Sequence, residues 1–102
     1  MSYDVSLYND DGEEITWRNM TSKVSCMWRH AGANLAEFDG KKAGEVYKQL
    51  VEALAAMLKD PDTYRAMNPP NGWGSYETCV EFLLDLAVDF GAHPNLTVRV
   101  SR

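Results

Sequence analysis

Two stretches of this chain carry apolar residues at helical spacing, and each needs an apolar surface to lie on. Between 40 and 59, Ala43, Val46, Tyr47, Leu50, Leu54, Met57 and Leu58 recur at i, i+3, i+4 and i+7, the stripe of an amphipathic helix. From Ser75 onward, Tyr76, Cys79, Val80, Leu83, Leu86, Ala87 and Phe90 repeat the pattern. Helices of this length are marginal alone in water, so the stripes must pack on each other or on another layer. Asp39 is placed to cap the first helix, and Pro61 to end it near Lys59. Ser75 stands at the N-cap of the second, with Glu77 in the first turn where the helix dipole favours it. Gly91 is placed as its C′ residue, and His93-Pro94 prevents continuation.

The further layer is legible at the two ends of the chain. Tyr3, Val5 and Leu7 alternate with Asp4, Ser6 and Tyr8, the period of a half-buried strand. Asn9-Asp10-Asp11-Gly12 is a tight-turn signal. Glu14 to Arg18 alternates again, with Ile15 and Trp17 in phase. Leu96, Val98 and Val100 mark a third strand. Between these, Val24, Met27 and Trp28 fall at helical spacing, predicting a short helix over 23–31 that stops at Gly32. Residues 33–40 read as a loop anchored by Leu35 and Phe38. Asp60-Pro61 opens another short helix, with Tyr64 and Met67 inward. The order predicts one α+β domain over 1–102. A small antiparallel sheet, made of the N-terminal hairpin and the C-terminal strand, packs against two long helices and short helices. Strand order is left open by the pattern.

Charge narrows the partners. The formal net charge is -5, which argues against duplex nucleic acid and anionic membrane. It leaves a protein partner, a basic one above all, or a small anionic ligand held locally against the overall field. No apolar run approaches the roughly 20 residues of a membrane span. Met1-Ser2-Tyr3-Asp4 lacks the basic and apolar regions of a signal peptide, so the expected location is cytoplasmic. Cys26 and Cys79 both sit in apolar settings and read as buried free thiols.

Three constellations are candidates for function. The run Asn68-Pro69-Pro70-Asn71-Gly72-Trp73-Gly74-Ser75 holds an indole between two glycines, behind two prolines, at the mouth of a helix. It reads as a rigid connector whose Trp73 plugs the core edge. Alternatively it is a recognition platform, with Asn68, Asn71 and free amides near Ser75 taking polar or anionic groups. It lacks the lysine of a P-loop and the spacing of a dinucleotide fingerprint. The second constellation interleaves Trp17, Trp28, Arg18, Asn19, Arg29 and His30. It reads as core tryptophans beside solvated charges, or as an aromatic and cationic pocket that Arg99 and Arg102 join. The third is the row Glu77, Glu81, Asp85 and Asp89, a wet face or an acidic ridge that docks on a basic groove. No nucleophile elbow, metal-ligand pair or Cys-His spacing appears. The chain is therefore read as no enzyme, with no cofactor and no metal.

The 68–76 run, following a short Asp-Pro helix, resembles the signature of a group of small bacterial and phage proteins with no settled activity. The motif is Asn-Pro-x-Asn-Gly-Trp-Gly-Ser-Tyr. Members of that group resemble this chain also in the Met27-Trp28 pair after an N-terminal β stretch and in a final strand closing on Ser101-Arg102. The resemblance implies that loop, Met-Trp pair and terminal arginine belong to one site, and it implies no catalytic residue. The expectation is a small non-enzymatic binding protein, a phage- or mobile-element-type modulator docking on a host protein. The alternative is a binder of a nucleotide or signalling molecule, held by Trp73, Trp28 and one or more of Arg18, Arg29 and Arg102.

Overall fold

The computed structural model describes residues 1–102. Strands β1 (Ser2–Tyr8) and β2 (Glu14–Thr21) form the hairpin, and β3 (Thr97–Ser101) closes the chain. Between them lie α1 (Ser25–Ala31), α2 (Ala43–Lys59), α3 (Pro61–Arg65) and α4 (Tyr76–Ala92), with 3-10 turns at Ser22–Val24 and Leu35–Phe38. The sheet order is β2-β1-β3, antiparallel throughout. The fold is the expected α+β arrangement, with the helices on one face of the sheet. No helix is long and apolar enough to cross a membrane.

One cluster of 23 buried residues forms the core. Tyr3, Val5 and Leu7 face it from β1 and Val98 from β3, as their alternation predicts. Trp28 is its largest buried side chain, set edge-on to Tyr3 at 5.0 Å and tilted against Phe82 at 5.7 Å. The α2 stripe buries Ala43, Val46, Leu50, Ala53, Leu54 and Met57. Tyr47 and Leu58 stand more outward than their spacing suggests, at 39% and 52% exposed.

Several local expectations are corrected. Asp39 does not cap α2. The helix opens at Lys42, whose N–H is taken by Glu45, while the Asp39 carboxylate accepts the Val100 N–H at 2.8 Å. Gly91 is not the C′ residue, because α4 runs on to Ala92. Gly91 instead lets the helix lie against Tyr47, whose ring carbon would be 3.2 Å from an added Cβ. Cys26 is exposed; only Cys79 is buried, and both are free thiols. Ile15 and Trp17 point away from the helices, at 44% and 57% exposed, and Thr16, Arg18 and Met20 take the helix-facing positions.

The two edges of the sheet differ. Val98 exchanges backbone hydrogen bonds with Lys41 and Gly40 at 2.8 Å each, so the β3 edge is covered. Those bonds turn the backbone groups of Val98 away from β1. By antiparallel alternation, Leu7, Val5 and Tyr3 then direct theirs toward β2. Their partners Thr16, Arg18 and Met20 complete that ladder. Trp17, Asn19 and Thr21 therefore aim N–H and C=O outward, and outside the β1 ladder no backbone–backbone hydrogen bond uses them.

Candidate functional site

The 68–75 loop is held from within. Gly72 and Gly74 take φ of 76° and 89°, positions where a side chain is strained. The Asn71 carboxamide oxygen accepts the Trp73 N–H at 3.1 Å, and Gly74 N–H reaches Gly72 O at 3.1 Å. The Asn68 oxygen accepts the Tyr76 N–H at 2.7 Å. Ser75 caps α4 through Thr78 N–H at 3.2 Å, and Thr78 Oγ1 takes the Ser75 N–H at 2.8 Å. The amides that a free anion site would use at Trp73, Ser75, Tyr76 and Thr78 are thus already taken. What the loop presents is the indole. Trp73 is 62% exposed, so it is no core plug.

The loop is seated against the end of β2. A Cβ on Gly74 would lie 2.7 Å from Thr21 Cγ2 and 3.0 Å from Val24 Cγ1. The loop that displays the indole therefore abuts the end of β2 at Thr21, through the residue next to Trp73. Beside that edge runs a shallow groove of about 240 Å³, lined by Arg18, Asn19, Met20, Thr78, Glu81, Phe82 and Asp85.

Other expected site residues are placed elsewhere. Trp28 has no exposed surface, and its Nε1 finds no hydrogen-bond partner. Arg29 is exposed on α1, where it donates to Ser25 Oγ at 3.3 Å. His30 is exposed and set edge-on to Tyr64 at 5.6 Å. Arg102 follows β3 on the sheet edge opposite β2, with β1 between. Neither groove of the molecule is lined by Trp73, Trp28, Arg29 or Arg102. The aromatic and cationic pocket expected from Trp17, Trp28 and the arginines does not assemble, because Trp17 and Trp28 lie on opposite faces of the sheet.

The acidic row is also broken. Asp89 is only 5% exposed, and Arg18 grips it with two bonds, Nε to Oδ2 at 2.9 Å and Nη2 to Oδ1 at 3.0 Å. That grip raises the Arg18 pKa above its ordinary value. Asp85 approaches the same guanidinium at 3.9 Å. Glu77 accepts from Arg65 Nε at 2.8 Å, which holds its carboxyl below the usual range. Only Glu81 of the row lacks an ion-pair partner. No three of the His, Cys, Asp and Glu side chains converge as a metal cluster.

The outer face of the sheet was not anticipated. It carries Asp4, Ser6 and Tyr8 from β1, Trp17 and Asn19 from β2, and Thr97, Arg99 and Ser101 from β3. All of these but Asn19 line a wide, open groove, together with Asp10, Glu14 and Asp39. Asp4 Oδ1 accepts from Trp17 Nε1 at 3.1 Å and from Asn19 Nδ2 at 2.8 Å, and Ser6 donates to Glu14. Arg99 lies 6.0 Å over the Tyr8 ring. The polar halves of the alternations at 4–8 and 97–101 were the available signal. They became a surface only once the pairing of β1 with β3 was known.

The chain matches no protein-family model, no curated protein and no solved structure.

Proposed function

We propose that this chain is a non-enzymatic binding module that docks on another protein through the Trp73 loop. The observation that carries the reading is an indole 62% exposed on over-determined backbone, in a loop seated against the end of an open strand edge. Rigid exposed tryptophans supply much of the binding energy at protein interfaces, because a large ring is buried at little entropic cost. The net charge of -5 supports a basic partner. The resemblance of the 68–76 run to bacterial and phage proteins supports a host protein in that role.

The test is affinity capture from a bacterial lysate with the wild type and Trp73→Ala side by side. The variant keeps its melting temperature and loses the partner. Capture of the same proteins by both overturns the reading.

A second reading, a small-ligand binder, is favoured by the outer-face groove with Tyr8, Trp17 and Arg99. Its four carboxylates, Asp4, Asp10, Glu14 and Asp39, against the single guanidinium of Arg99 suit a neutral or cationic ligand better than an anionic one.

A further inference from the structure

We infer that the open edge of β2 takes up an extended segment of the partner, with basic side chains directed at α4. The inference rests on the docking reading above and names the kind of chain that docks. Trp17, Asn19 and Thr21 present a row of backbone donors and acceptors with no partner in the fold. Such a row is a template for strand addition. Its protections are partial. The bulge of β2 lies at its Glu14 end, opposite Leu7 and Tyr8. The inward charge of Arg18 is neutralised by Asp89, and residues 17–21 contain no proline and no lysine.

The side chains of an added strand would alternate between two surfaces. Those on the helix side enter the groove beside Thr78, Glu81, Phe82 and Asp85. Glu81 there has no counter-ion, and Asp85 is 3.9 Å from an arginine already engaged by Asp89. That floor fits lysine or arginine, whose apolar stem can lie on Phe82 while the head meets the carboxylates. Side chains on the other side continue the exposed apolar surface of Ile15 and Trp17. The segment that fits therefore alternates basic and apolar residues. A second copy of this chain fits worse, since edge-to-edge pairing about a two-fold axis would bring Glu81 and Asp85 of both copies to the same seam.

The experiment uses a strand-length synthetic peptide alternating arginine and valine, with a glutamate–valine peptide as its counterpart. The arginine peptide should bind and slow hydrogen exchange at the Trp17, Asn19 and Thr21 amides. The glutamate peptide should not bind. Asn19→Pro removes an outward N–H that the β1 ladder does not use. Because it also loses the side-chain bonds to Asp4 and the Tyr3 carbonyl, it is compared with Asn19→Ala. Relative to that variant it should weaken binding about tenfold or more, as should Glu81→Lys relative to the wild type. Glu81 has no partner in the fold, so that variant reads out even where the proline disturbs the strand. The inference is overturned by no binding, by equal binding of both peptides, or by protection at other amides. It is overturned equally by full-strength binding to both the proline and the lysine variant, or by peptide-free self-association that Asn19→Pro abolishes. If it fails while Trp73→Ala still loses the captured protein, the docking reading stands. If edge binding holds while capture ignores Trp73, that reading fails instead.

Discussion

Arg18 on β2 and Asp89 near the end of α4 form a two-bonded ion pair that ties the free edge of the sheet to the last helix. The two side chains are not equivalent: Arg18 is 39% exposed and Asp89 only 7%. Removing the arginine strands a buried carboxylate, whereas removing the carboxylate frees a guanidinium that can still reach water. Arg18→Met should therefore lower the unfolding free energy by about 1–3 kcal/mol, and Asp89→Asn by less. Urea denaturation of the two single variants and the double variant checks this. The double variant should be less destabilised than the sum of the singles.

Gly74 is fixed by both its backbone and its neighbours, and Gly72 by backbone alone. Both have positive φ, but an added Cβ at Gly72 meets nothing within 4 Å. Gly72→Ala should cost about 1–2 kcal/mol, the left-handed penalty of an ordinary residue. Gly74→Ala should cost about 2–4 kcal/mol, because the Thr21 methyl and Val24 must also move. Adding Thr21→Ser to Gly74→Ala removes that methyl and should restore part of the loss. Melting temperatures of the three variants decide it. At about 4–8 °C per kcal/mol for a domain of this size, the differences are easily read.

The elements were legible because Gly, Pro and Ser punctuate strong periodicities. Ser75 caps as its sequence context indicates, and Gly32 ends α1 in the left-handed conformation. The face of β2 was not legible. Period-2 alternation separates Ile15 and Trp17 from Thr16, Arg18 and Met20 without saying which set is buried, and an arginine hid the answer by pairing with Asp89. The acidic row misled for a geometric reason. At 3.6 residues per turn, each i+4 step advances roughly 40° around the helix, so two steps carry the row from the wet side at Glu81 to the sheet side at Asp89. The site was legible only as a list of conspicuous residues. Trp73, read first as a core plug and otherwise as a displayed ring, is displayed, and Trp28 is core, because nothing local distinguishes a buried indole from an offered one.

The Glu77–Arg65 pair gives an acid-side prediction. Arg65 bonds Glu77 and also lies 5.0 Å over the Tyr76 ring, bracing the start of α4 against α3. Since the folded-state pKa of Glu77 is lowered, chiefly by the Arg65 bond, the unfolded chain binds its proton more readily. Stability from this pair is present above the ordinary carboxyl value of 4.5 and lost as pH falls below it. Glu77→Gln should make the acid limb of the stability curve shallower while leaving the rest in place. An unchanged acid limb, measured by urea midpoints down the acid range, would remove the pair from the account.

The two thiols should behave oppositely. Burial, with a smaller contribution from Cys26, pushes Cys79 from its ordinary 9.0 up to about 12, so its thiolate, the reactive form, is nearly absent at neutral pH. A thiol reagent should label exposed Cys26 promptly and reach Cys79 only at the rate of unfolding or local opening. Mass spectrometry of singly and doubly labelled chain against time checks this. The same shift fixes an alkaline trend. The raised folded-state pKa means that the native chain holds the Cys79 proton where the unfolded chain has released it. Stability is therefore complete below about pH 9 and declines above it, by up to about 1.4 kcal/mol per pH unit. Tyr64, raised by burial and then by Asp60, adds a decline of the same sign starting near the ordinary tyrosine range. Cys79→Ala leaves a small cavity and lowers stability at every pH, but its alkaline limb should be shallower than that of the wild type. Parallel curves for the two proteins would mean that the thiol titrates without feeling the fold.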